Sequence, residues 1–136
     1  SKWRLLLAEH NEAVRAQIER FGGREVKTTG DGFLVLFPSP ARAVRGAAAM
    51  IDAATAYGLT ARAAVHAGEV ELQGDEVRGI AVHSAARILG VAQPGEVLVS
   101  TTIRDLLSGS GLAFSDRGEF ELRGLKGRRS LAALLR

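Results

Sequence analysis

Trp3, Leu6, Leu7, Val14, Ile18 and Phe21 return at three- and four-residue spacing, which predicts an amphipathic helix closed by Gly22 and Gly23. The pattern then shortens to apolar runs over 24–29 and 32–37, two strands around a Gly30-Asp31-Gly32 turn. Ser39 and Pro40 read as the N-cap and first residue of a second helix, which Gly58 stops just after Tyr57. An alanine-dominated strand is expected near 60–67, then a turn at Ala67-Gly68, a short strand over 69–73 and a loop. Residues 79–91 predict a third helix with Val82, Ala85, Ile88 and Leu89 inward. After Pro94-Gly95, the run EVLVS at 96–100 is too continuous for a half-exposed strand and predicts a buried one. Thr101 or Thr102 is expected to start a short helix ending near Leu107, and the last 25 residues read as two or three short strands.

Helices and strands mixed without strict alternation predict an α+β fold with a largely antiparallel sheet flanked by helices. No repeat, linker or low-complexity stretch divides the chain, so residues 1–136 are expected to form one domain. The chain opens inside its first helix with no strand ahead of it. Ser1 stands where a cap would, but Arg4 occupies the position where a capping box has an acid. A segment upstream is therefore expected to be missing.

Composition narrows the class. Hydrophobic residues make up 46% of the 136 and charged residues 24%, so the chain can bury a core. With no cysteine, disulfide and thiolate chemistry are excluded, which fits a cytoplasmic protein or the cytoplasmic domain of a larger one. No apolar run approaches membrane-spanning length. The net charge of +3 permits a polyanionic partner, yet aromatics at 5% lack the interleaved pattern that stacks bases. Basic residues gather most clearly in RGLKGRR, 123–129, a patch sized for a triphosphate rather than a nucleic-acid backbone.

Taken singly, the chemistry-bearing residues have ordinary readings. A Gly-Asp-Gly turn is common hairpin chemistry, Lys27 can be a solvated strand residue, and Arg87 and His83 can be helix-surface charges. Asp75 and Glu76 can be a solvated loop. In order, however, EVKTTGDGF (25–33), VHAGEV (65–70), RGIAVHSAARI (78–88) and GEVLVS (95–100) give the chain its resemblance to a class III nucleotidyl cyclase catalytic domain. It looks most like the bacterial, mycobacterial-type adenylate cyclases, over nearly its whole length. The resemblance implies a ferredoxin-like, palm-type sheet and a head-to-tail homodimer with composite active sites. It also implies conversion of ATP to cyclic AMP and pyrophosphate with two divalent metal ions, magnesium or manganese, in cyclic-nucleotide signalling.

Site residues follow from the same resemblance. Asp31 matches one of two metal-binding aspartates; the other belongs to a strand ahead of the first helix that this chain lacks. That absence implies weakened metal-ATP binding and severely reduced turnover in these residues alone. Lys27 matches the base-selecting lysine, which can donate to adenine N1 while an acid accepts from the 6-amino group. That acid falls on Glu76, with Asp75 adjacent. Arg87 matches the arginine that stabilises charge on the transferring phosphoryl group. His83 stands where many members have asparagine, four residues earlier and on the same helical face. Arg123 aligns with a lysine that holds the β- and γ-phosphates, and Lys126 is the nearby alternative. His66 and Glu69 are expected to serve the fold.

Three other readings remain beside adenylate cyclase. A guanylate cyclase would suit a glutamate in place of Lys27. A degenerate cyclase-like module would bind nucleotide or dimerise without turnover. A ferredoxin-like nucleic-acid binder would be recognised by steeply salt-dependent binding and indifference to ATP.

Overall fold

Ser1 caps the first helix, α1 (Lys2–Arg20): its hydroxyl accepts the Arg4 amide hydrogen at 3.3 Å. The computed structural model describes residues 1–26 and 32–136. Two short strands, β1 (Arg24–Val26) and β2 (Leu34–Leu36), follow α1 and pair antiparallel, with Val26 opposite Leu34. The turn expected between them, with Lys27 and Asp31, falls on 27–31 and lies outside the described residues. Helix α2 (Pro40–Ala56) starts as its sequence predicts. Ser39 is extended, its hydroxyl accepts the Arg42 amide hydrogen at 3.3 Å, and Pro40 needs no amide partner.

A four-stranded sheet forms the centre. Its strands are β3 (Ala63–Val65), β6 (Val97–Ser100), β7 (Phe114–Glu121) and β8 (Arg128–Leu134), in the order β3-β6-β8-β7. The β3–β6 pair is parallel and the other two are antiparallel. β6 is buried along its whole length because both faces are covered. Val97 and Val99 meet Val44, Ala47 and Ile51 of α2 on one side. Leu98 points the opposite way, into a cluster with Leu131, Ala133 and Ile88. The last belongs to α3 (Ile80–Leu89), so α2 and α3 sandwich the sheet. That double coverage is why this strand lacks the alternation of a half-exposed one.

α2 comes close to the chain before it. A Cβ added at Gly46 would lie 2.7 Å from the Phe37 ring, so the small residue lets that ring seat against the helix. α1 contributes buried Val14 and Ile18 from its second half, whereas Trp3 and Leu7, expected inward, are exposed. Spacing places residues on one face but does not say how far along the helix that face is covered.

Three further expectations are corrected. The residues after 73 are a strand rather than a loop, since β4 (Glu71–Gln73) and β5 (Glu76–Arg78) form a hairpin around Gly74 and Asp75. Glu76 therefore sits on a strand and only Asp75 in the turn. α4 (Thr101–Leu106) starts at Thr101 as expected, capped by Ser100, whose hydroxyl accepts the Ile103 amide hydrogen at 3.3 Å. The C-terminal segment makes two long strands, of 8 and 7 residues, in place of several short ones. On α3, Ser84 is buried and Leu89 exposed, the reverse of what hydropathy predicts. Two small two-stranded sheets, β1-β2 and β4-β5, stand apart from the central one.

Candidate active site

α3 carries His83 and Arg87 one turn apart, and the turn joining β7 to β8 folds back over them. Gly124 in that turn has φ +81°, and a Cβ there would stand 3.2 Å from His83 Nε2 and 4.0 Å from Arg87 Nε. Glycine meets both demands: it takes the positive φ without strain and leaves room for the two side chains. The neighbouring Leu122 is buried and Leu125 half-buried in the cluster beneath α3, which anchors the turn. Arg123 and Lys126 of the same turn are exposed.

His83 and Arg87 differ in setting. His83 is exposed, whereas Arg87 is half-buried, and its Nε is enclosed with no hydrogen-bond partner among the described residues. A buried guanidinium N–H without an acceptor is costly, and such groups concentrate where a ligand completes them. Arg87 is thus more enclosed than a helix-surface charge. The β7–β8 turn itself lines an open cleft of about 460 Å³ with Glu121, Leu122, Arg123, Leu125, Gly127 and Arg128. Of the basic residues expected from the sequence, Arg87 shares a helix face with His83, and Arg123 and Lys126 belong to the turn whose Gly124 approaches both.

Asp75 and Glu76 are not brought into that group. Both are exposed on the β4–β5 hairpin, and no hydrogen bond or ion pair joins them to His83 or Arg87 among the described residues. Glu76 pairs with Arg78 at 3.1 Å, two residues along the strand and hence on the same face. The hairpin is tied instead to β1, where Arg24 donates to the Gly74 carbonyl at 3.3 Å. Sequence reasoning missed Arg24 and Arg78; only the Glu-Val-Arg spacing hinted at the latter. No group of three or more His, Asp or Glu able to hold a metal occurs among the described residues.

His66, at the end of β3, holds a second polar cluster. Its Nδ1 lies 2.7 Å from the Ser100 hydroxyl. Burial, and then the nearby Arg129 charge, holds its pKa below the usual 6.5. The unfolded chain therefore takes up this proton first, so the associated stability is present above about pH 6.5 and is lost as pH falls through that value and below. Thermal unfolding should show a lower Tm near pH 5.5 than near pH 7.5, with a smaller difference in His66→Asn. The Glu96 carboxyl is held below its ordinary value mainly by Arg117, which donates to it at 2.6 Å, so its contribution is lost only at more acidic pH.

An α+β sheet with helices on both faces and a basic turn over a histidine–arginine helix defines a nucleotidyl cyclase-type domain. Residues 2–134 match the family model described as the adenylate and guanylate cyclase catalytic domain, and the chain belongs to that family. It is 32% identical over 131 residues to putative adenylate cyclase 3 of Rhizobium meliloti, covering 90% of this chain and 22% of that protein. It is 30% identical over 108 residues to a pH-sensitive adenylate cyclase of Mycobacterium tuberculosis, covering 75% and 27%. The chain thus spans about a quarter of the length of these relatives. Among solved structures, an adenylate/guanylate cyclase/hydrolase from Silicibacter pomeroyi superposes with TM-score 0.79 at 24% identity, covering 95% of this chain and 82% of that one. An adenylate cyclase from Trypanosoma brucei, described in its monomeric state, gives 0.81 at 22%, covering 95% and 78%. No helix of the described residues is long and apolar enough to cross a membrane.

Proposed function

We propose that this domain is an adenylate cyclase, forming cyclic AMP and pyrophosphate by attack of the ribose 3′-hydroxyl on the α-phosphorus of ATP. The observation that carries the reading is Arg87, whose buried Nε lacks an acceptor among the described residues, beside a basic turn. A phosphoryl oxygen gaining charge as the 3′-oxygen bonds is the acceptor such a group suits. His83, exposed at the rim, donates to the ribose. Arg123 holds the β- and γ-phosphates, with bidentate geometry a lysine lacks, and Lys126 is the alternative donor.

Lys27 and Glu76 or Asp75 read adenine, the lysine donating to N1 and the acid accepting from the amino group. The Glu76–Arg78 pair is exposed on both sides, and such pairs contribute little, so Glu76 can exchange Arg78 for the base. That the relatives are described as adenylate cyclases supports ATP rather than GTP as the substrate proposed for this chain. Two divalent cations, magnesium or manganese, belong to the proposal by family. The described residues do not by themselves fit a two-metal site, since no group of three or more His, Asp or Glu able to hold a metal occurs among them, and Asp31, the candidate ligand, lies outside them. The domain acts as a head-to-tail homodimer on the cytoplasmic side.

The test is cyclic AMP formation from manganese-ATP, comparing this chain with one extended upstream by roughly 20 residues, room for a strand and its connection. Turnover by the extended chain, with ATP preferred to GTP, supports the reading. An extended chain that dimerises, carries the second aspartate and cyclises neither nucleotide would show a binding or dimerisation module instead.

A further inference from the structure

Ser84 and Ser100 are the buried polar residues among the described ones, and both line one cavity of about 290 Å³. The cavity lies between α3, the start of α4 and β8. Ile88, Leu122, Leu125 and Leu131 form its apolar part, while His66, Thr102, Arg128 and Arg129 add polar groups. No acidic side chain belongs to its lining. Ser100 already accepts the Ile103 amide hydrogen, so the arrangement that uses each group once has its hydroxyl donating to His66 Nδ1. The imidazole then carries its own proton on Nε2. The Ser84 and Thr102 hydroxyls, the imidazole N–H and the Arg129 guanidinium remain as donors, joined by Arg128, which also pairs with Glu121 at 3.9 Å, so the cavity is rich in donors and positive charge.

We propose that this cavity binds a compact oxyanion of phosphate size, at a site that adjoins the nucleotide cleft, shares Leu122, Leu125 and Arg128 with it, and is set apart by His66, Ser84, Ser100 and Arg129. The volume exceeds what a single water needs and falls just below the range of drug-sized ligands. Donor-only guanidinium groups beside hydroxyls suit an anion with several acceptor oxygens. Ser84 and Ile88 each follow His83 and Arg87 by one residue on α3, so an anion here contacts the same helix from another side. Occupancy ties α3 to β8 and fixes the helix that carries the arginine. The site does not depend on the cyclase reading, since it uses neither Lys27, Asp31 nor Arg123.

The experiment is a titration of this chain with inorganic phosphate, followed by amide NMR shifts at constant ionic strength with chloride as control. The expected result is saturable movement at Ser84, Ser100, Thr102 and Ser130. Arg129→Gln should weaken it about tenfold or more, because a hydrogen bond to a charged group is lost. Thr102→Val, which leaves every charge in place, should also weaken it, and Arg123→Gln should not. Absence of saturation at those four amides, or movement centred on residues 123–127 that Arg123→Gln removes, would overturn the proposal. Equal movement with chloride would do the same.

Discussion

Arg87→Ala in the upstream-extended chain should lower cyclic AMP formation by about 10³-fold or more, with KM for ATP changing far less than kcat. The reason lies in where the guanidinium stands. Its Nε is shut away from solvent with no acceptor among the described residues, so it gains most from a partner whose negative charge grows during reaction. Arg87→Lys should recover only a small part of the loss, because an ammonium cannot reproduce the planar fork. The variant's Tm must be measured alongside, since α3 packs against the sheet through the neighbouring Ile88. A folded Arg87→Ala variant with near-normal turnover would remove Arg87 from the chemistry and leave its burial a matter of packing.

Local chemistry made much of the fold legible. Ser1 and Ser39 are caps whose hydroxyl partners lie three residues away, so short sequence windows contain the whole interaction. The run at 97–100 is buried because helices cover both faces of its sheet, and its lack of polar interruption records that. The first strand of the β4–β5 hairpin was legible and the second was not, because Glu-Val-Arg is a three-residue, mostly exposed strand whose single apolar residue is too little alternation to separate it from a loop. Ser100 ends a strand and caps the next helix, which starts at Thr101 as expected.

The candidate site divides along the same line. Sequence put His83 and Arg87 on one face of a helix, which needs only spacing. It could not show that Arg87 Nε is enclosed, because the residue that approaches it, Gly124, arrives from the far end of the chain. Nor could it show that His66, Ser84 and Ser100 share a cavity, since each comes from a different element and has an unremarkable local setting. Pairings within a turn of helix or a strand are written in the sequence. Those made by folding the last quarter of the chain over the middle are not.

Equal mixing of two inactive variants of the extended chain, Asp31→Ala and Arg87→Ala, should restore about a quarter of normal turnover. The head-to-tail dimer proposed for this domain takes Asp31 from one subunit and Arg87 from its partner. An Arg87→Ala subunit keeps its aspartate, and an Asp31→Ala subunit keeps its arginine, so their heterodimer has one intact site and one with both defects. Random exchange makes half the dimers mixed, each with one site where the unaltered dimer has two, hence about one quarter. Against single variants reduced by about 10³-fold, that recovery is a gain of hundreds. A site built within one chain predicts the opposite: no subunit in the mixture then carries both residues, and turnover stays at the level of the separate variants. The measurement therefore decides between a composite and a self-contained site without a structure of the dimer. It does so through residues whose roles stand or fall together, because a recovered quarter requires both Asp31 and Arg87 to act on the same nucleotide from different chains.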